Sequence, residues 1–233
     1  MAVAERAKNM MVKPAETWLV VEQEITGWSQ LYLPYLAWLA AIPAVAGLVG
    51  WTLVGMGGFG VSLRLPLGTG LAMMISQYIM TLVMVAVWGW VINLLAGSFG
   101  GQANLMNAVK LSVYASTPAM VAGVFNVIPS LAILGLLGGL YALYLLYLGL
   151  PVLMKNPAEK SLPYAAVAAV VGIVGSVLIS AAGTMLLPSP MSPMHSASGV
   201  AISTPEGEVN IDMKKIEALT KRLQAEAEQE DKP

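Results

Sequence analysis

Charged residues are almost absent from the long central part of this sequence. Between Glu24 and Glu206 the charged side chains are those of Arg64, Lys110, Lys155, Glu159 and Lys160. Soluble domains carry charge on about a quarter of their residues, whereas only 11% of this chain is charged. A stretch this long and this apolar predicts a protein that folds within a lipid bilayer.

The central part divides into segments long enough to cross a membrane. A hydrocarbon core of about 30 Å needs roughly 20 apolar residues in a helix. The segments that meet this length are residues 33–54, 71–96, 109–128, 131–150 and 164–187. Each is expected to be helical because backbone N–H and C=O groups find no water in the bilayer. We therefore predict an all-α, polytopic membrane protein with a bundle of five transmembrane helices in residues 31–187.

Both ends of the chain have amphipathic helical patterns. In the N-terminal arm, residues 1–30, apolar residues recur at helical spacing at Trp18, Val21, Ile25 and Trp28. This arm is expected to lie in the inner membrane interface or to pack on the protein's cytoplasmic face. Residues 188–233 are predicted to be a Pro/Ser/Met linker followed by a second amphipathic helix outside the membrane. Its narrow apolar stripe is typical of either a weak docking helix or a solvated tail.

Basic residues near the ends of the spans predict the orientation of the bundle. If the N-terminus is cytoplasmic, the basic residues on the inner side are Arg6, Lys8, Lys13, Lys110, Lys155 and Lys160. Only Arg64 then lies in a short outer loop. The prediction is a cytoplasmic N-terminus and, after five spans, a C-terminus outside.

The spans lack the residues on which most catalysis depends. Residues 25–205 contain one carboxylate, Glu159, and the only histidine, His195, lies in the predicted linker. Acid–base or metal chemistry in the spans would need His, Asp or Glu there, so we predict a non-enzymatic protein without a cofactor. Met191, Met194 and His195 are soft ligands that suit Cu(I), which remains a separate hypothesis. A net charge of -1 gives no basis for a nucleic-acid partner.

Polar side chains within the spans have two interpretations. Gln77, Tyr114 and Asn126 are candidates for lining a solute path, as in a transporter or channel component. Residues of this kind more often form hydrogen bonds between neighbouring helices. Both interpretations stay open at the level of sequence.

Small residues predict close packing of the helices. Gly135 and Gly139 form a GxxxG pattern in the fourth span, and Gly172, Ser176 and Ser180 recur at every fourth position of the fifth. Such positions let helix backbones approach closely, whether the neighbour is another span or another copy.

The sequence KLSVYASTPAM, residues 110–120, predicts an irregular third span. Pro118 cannot donate a hydrogen bond to the carbonyl of Tyr114, so a kink is expected there. Lys110 is expected to extend its amine to the lipid headgroups. Ser112, Ser116 and Gly123 lie on one small face that suits a neighbouring helix.

Longer motifs in this chain resemble one known family. These are MVKPAETWLVVEQE, VKLSVYASTPAMVAGVFNVIPSL and LYALYLLYLGLPVLMKNPAEKSLPY. Together they resemble the bacterial branch of the Yip family, the Ypt/Rab-GTPase-interacting membrane proteins, over roughly residues 10–187. The resemblance implies a five-span, multi-pass protein of the bacterial inner (cytoplasmic) membrane with a cytoplasmic N-terminus.

The same resemblance guides the functional prediction. Eukaryotic members associate with Rab-type GTPases and with one another, so a GTPase partner is implied here only by analogy. This chain departs from them in its short N-terminal arm and its polar C-terminal tail. The predicted function is that of a scaffold, adaptor or membrane-organising component that self-associates or binds another membrane protein in the lipid bilayer.

Overall fold

The computed structural model describes residues 3–25, 27–58, 61–186, 200–204 and 207–211. The N-terminal arm contains two helices, α1 (Val3–Val12) and α2 (Pro14–Gln23). Within the described residues five helices are long and apolar enough to cross a membrane. They are α3 (Trp28–Val54), α4 (Leu67–Leu95), α5 (Leu105–Val127), α6 (Pro129–Leu153) and α7 (Ala158–Leu186). The predicted five-span helical fold is confirmed.

Prolines make α3 irregular without ending it. Its regular part, Ala37–Val49, contains Pro43 and follows a wider π-helical turn, Tyr32–Leu36, around Pro34. A second π turn, Gly50–Val54, closes the helix. Such turns absorb the hydrogen bonds that proline cannot make.

The third span, α5, is made of three pieces. An α-helical piece, Leu105–Ala115, is followed by Thr117–Ala122 and then by a 3-10 turn, Gly123–Val127. The break between the first two pieces falls at Ser116, which places Pro118 in the first turn of the second piece. Proline is tolerated there because the first turn of a helix needs no N–H donor.

The bundle is arranged around α5, which packs against α3, α4 and α6. The last span, α7, packs on α4 and α6. Fully buried side chains in the centre include Leu111 of α5, Ile92 of α4 and Leu145 and Leu150 of α6. The first turn of α6, Pro129–Leu134, is 3-10 helical and follows α5 directly, so these two helices are antiparallel neighbours.

A small antiparallel sheet joins two distant parts of the chain. Strands β1 (Met56–Gly58) and β2 (Val61–Arg64) come from the loop between α3 and α4, and β3 (Val200–Thr204) and β4 (Gly207–Ile211) from the tail. The strand order is β1-β2-β3-β4, with Leu63 opposite Ile202.

These strands were not foreseen, because their pairing depends on segments far apart in sequence. The predicted helix that follows Ile211 lies outside the described residues, as do Met191, Met194 and His195.

Candidate functional site at the N-terminal arm

The N-terminal arm packs against the bundle with one face buried and the other exposed. Met10, Trp18 and Val21 of the arm are fully buried, and α2 packs along α6. The indole of Trp18 fills a notch at Gly149, where an added Cβ would lie 2.7 Å from the ring and 2.4 Å from Leu111 Cδ1. Glycine at this position therefore makes room for the arm.

Tyr114 of α5 is the aromatic centre beneath the arm. Its ring meets Trp18 edge-on at 6.4 Å between centroids and Tyr35 of α3 at 4.8 Å. The guanidinium carbon of Arg6 lies 5.9 Å from the centre of the same ring. Ring edges and a cation are both attracted to the negative face of an aromatic ring, so Tyr114 links α5 to the arm and to α3.

Two buried cations hold the arm against the bundle near the beginning of α5. Arg6 forms an ion pair with Glu24, and Lys110 of α5 donates to the carbonyl oxygens of Val21, at 3.3 Å, and of Glu24. These carbonyls belong to the end of α2, where a positive charge also offsets the helix dipole. Lys110 is only 3% exposed. Its amine therefore binds carbonyl groups of the arm, whereas the sequence predicted that it would reach the lipid headgroups.

The middle of the arm is held through its main chain as well. Tyr141 Oη of α6 donates to the carbonyl oxygen of Met11 at 2.6 Å, close to the end of α1. At a more exposed position, Lys155, which follows α6, forms an ion pair with Glu22 of α2. The bundle thus binds the ends of both arm helices by their carbonyl groups.

The small face of α5 joins it to two neighbouring helices. Ser112 Oγ donates to the carbonyl oxygen of Val85 in α4 at 3.0 Å, and Ser116 Oγ to that of Ser112 at 2.6 Å. Gly123 lies against α3, where an added Cβ would be 2.5 Å from Pro43 Cβ. Thr117 of α5 is hydrogen-bonded through its hydroxyl to that of Tyr35 of α3 at 2.8 Å, a partner that local sequence does not indicate.

The predicted glycine pair of α6 does not pack against the residues that the structure describes. A Cβ added to Gly135 or Gly139 would meet no atom within 4 Å. The close contact with α5 is made instead by Gly138, whose added Cβ would lie 2.5 Å from Ala122 Cβ and 2.7 Å from the carbonyl oxygen of Pro118. Helical spacing alone does not tell which glycine faces a neighbour.

The small-residue ridge of α7 contacts α4 through a tryptophan. An added Cβ at Gly172 would lie 3.0 Å from Trp88 Nε1, and this nitrogen donates to the carbonyl oxygen of Ala168 at 3.2 Å. The side chains of Ser176 and Ser180 lie outside what the structure describes.

The three candidates for a solute path do not lie together. Gln77 and Asn126 approach α3 at Gly47 and Gly50, in the second half of that helix. Tyr114 instead contacts Tyr35, near the beginning of α3. Among the described residues there is also no group of three or more His, Cys, Asp or Glu side chains that could hold a metal ion.

Five apolar helices, among which the irregular third span is the most buried, define a multi-pass integral membrane protein. Residues 8–179 match the Yip1 domain, and the chain belongs to the Yip1 family. The resemblance read from the sequence motifs is therefore confirmed.

Curated relatives of this chain come from Escherichia coli. It is 29% identical to the inner membrane protein YohC of strain K12 over 158 residues, which cover 66% of this chain and 81% of YohC. YohC of the O6:H1 strain CFT073 matches to the same extent. No solved structure matches this chain.

Proposed function

We propose that this protein is a non-enzymatic scaffold, adaptor or membrane-organising component that binds a second copy or another membrane protein. The observation that carries the proposal is that interior polar side chains form hydrogen bonds between segments of this chain. Lys110, Ser112 and Tyr141 each donate to a main-chain carbonyl of another segment. Their hydrogen-bonding capacity joins parts of this chain, which suits an architectural role.

The outer face of α6 supports binding of a partner within the membrane. Gly135 and Gly139 have open space above them, and the large side chains beside them, Leu136 and Leu140, are exposed. Lipid is as apolar as leucine, so burial of apolar side chains does not drive helices together in a bilayer. Helices associate instead through close packing of their backbones at small residues. A second helix is the partner that such a surface fits.

The relatives and the charge distribution support a location and an orientation. Two relatives are inner membrane proteins by name, and we place this chain in the same membrane. Lys155 and Lys160 near the span ends, with Arg64 in a loop on the other side, favour a cytoplasmic N-terminus and a C-terminus outside. A Rab-type GTPase partner has only the family analogy to support it.

Affinity capture from native membranes in mild detergent, combined with crosslinking, tests the proposed function. We expect a self-associated form or a constant partner, and the substitution Gly139→Leu should weaken that association. Gly175→Leu is the matched control, since Gly175 of α7 is equally open. A strictly monomeric, partnerless protein would contradict the proposal.

Two further measurements address transport and orientation. Solute flux through reconstituted liposomes would favour the channel interpretation, and we expect none. Reporter fusions at the two termini should report opposite sides of the membrane. Both ends on one side would be incompatible with five spans.

A further inference from the structure

The turn of the N-terminal arm lies at the depth of the middle of the spans. Tyr141, which bonds the Met11 carbonyl, is the midpoint of the 25-residue span Pro129–Leu153. Helix α1 also lines an open apolar groove of about 630 Å³ with Ile42, next to the midpoint of α3, and with Val121 of α5. Three helices thus place the end of α1 near the centre of the bilayer.

At this depth the arm presents an exposed pair of opposite charges. We call Lys13 and Glu16 the charged face of the arm. Lys13 lies between α1 and α2, and its Nζ is 3.7 Å from Glu16 Oε2, with these side chains 63% and 76% exposed. Lys13 is two residues from Met11 and shares its depth.

Lipid acyl chains cannot form hydrogen bonds or ion pairs with such a face. A charged side chain at the bilayer centre is costly, and charges at this depth face protein or a water-filled cavity in nearly all cases. The 3.7 Å pairing with Glu16 does not remove this cost, because an ion pair out of water also needs hydrogen bonds for its remaining protons and lone pairs. The charged face therefore needs a polar cover.

We propose that the charged face is covered by the same face of a second copy, in a two-fold symmetric dimer. The face carries one basic and one acidic side chain next to each other, so it is electrically self-complementary. A two-fold axis brings a surface against itself, so that Lys13 of each copy can meet Glu16 of the other. This inference rests on the proposed function and adds a second surface, in addition to the outer face of α6, through which a copy of this chain binds.

Charge reversal tests the dimer. Lys13→Glu and Glu16→Lys should each weaken dimerisation in lipid bicelles at least tenfold, measured by sedimentation equilibrium. The double variant Lys13→Glu/Glu16→Lys should restore it, because the pairs between copies regain opposite signs. Thermal unfolding of each variant checks that the monomer is intact. Single reversals that leave dimerisation unchanged would overturn the inference.

Crosslinking provides a second test, since the chain has no cysteine. Lys13→Cys in native membranes should give a dimer with a short, membrane-permeant bismaleimide. Val170→Cys, at an exposed position of α7, is the control and should not. If a membrane-impermeant maleimide labels Lys13→Cys, the face lines a water-filled cavity and the inference is wrong.

The outcomes separate this inference from the proposed function. A protein that still binds itself or a partner, but does not crosslink through Lys13→Cys, refutes the dimer face and leaves the scaffold role standing. A protein with no partner at all refutes both.

Discussion

The third and second spans of this protein differ in opposite directions in how apolar they are and in how much of them is buried. In an 18-residue stretch of the third, α5, the mean hydropathy is 1.3 and 72% of the residues are buried inside the protein, whereas in such a stretch of α4 the mean hydropathy is 2.0 and 17% of the residues are buried. The polar side chains that lower the hydropathy of α5 find partners only in the interior, as Ser112 does on α4 and Thr117 on α3. The less apolar helix is therefore the central one.

Low hydropathy alone does not place a helix in the centre. The first 18 residues of α7, Ala158–Gly175, have a mean hydropathy of only 1.2, which is as low as that of α5. Only 22% of these residues are buried inside the protein. Their hydropathy is lowered mainly by the charged residues Glu159 and Lys160, which are exposed in the first turn of the helix. What matters is whether the polar side chains lie within the span, where they need protein partners, or at its end, where they do not.

The largest effect that we predict comes from the arm that covers α5. Trp18→Ala removes a fully buried indole from the Gly149 notch and should lower the free energy of unfolding by about 3–5 kcal/mol, as for other buried aromatic residues. Trp28→Ala, at the 45% exposed start of α3, is the control and should cost much less. The measurement is unfolding by SDS titration in mixed micelles.

Equal losses for the two tryptophans would mean that the arm contributes little to the burial of α5. The comparison of the two spans would then have to rest on the transmembrane helices alone.

The sequence predicts what depends on local composition and misses what depends on distant partners. The five spans follow from hydropathy because bilayer thickness sets their length. The site under the arm could not be predicted, because the notch at Gly149 and the bonds from Lys110 and Tyr141 exist only once α2 lies on α6. Lys110 near a span end is typical of a headgroup contact, and nothing local indicates that the carbonyls of the arm replace it.

Two adjacent glycines of α6 give a sharper comparison between a protein-facing and an outward position. Gly138→Ala places a Cβ 2.7 Å from the Pro118 carbonyl oxygen, and such overpacking should cost about 1–3 kcal/mol of the free energy of unfolding. Gly139→Ala meets no atom within 4 Å and should be neutral or slightly stabilising, since alanine favours the helix. A loss at Gly139 in the monomer would contradict this assignment of faces.

The smallest predicted effect compares one hydroxyl in each of the two spans. Thr117→Val in α5 leaves the buried Tyr35 hydroxyl without its 2.8 Å partner and should cost about 0.6–1.7 kcal/mol, the range measured for hydrogen bonds between helices in membranes. Thr81→Val in α4 removes only a bond to the carbonyl of Gln77 in its own helix, and that oxygen keeps its helical N–H donor.

A double variant separates the hydrogen bond from the change in packing. In Tyr35→Phe/Thr117→Val both partners are gone and no buried hydroxyl of the pair is left over, so its loss should be smaller than the sum of the two single losses. Strict additivity in the SDS titration would mean that the two hydroxyls are not coupled. The polar character of α5 would then have to be explained by Ser112 and Ser116, whose bonds go to main-chain carbonyls.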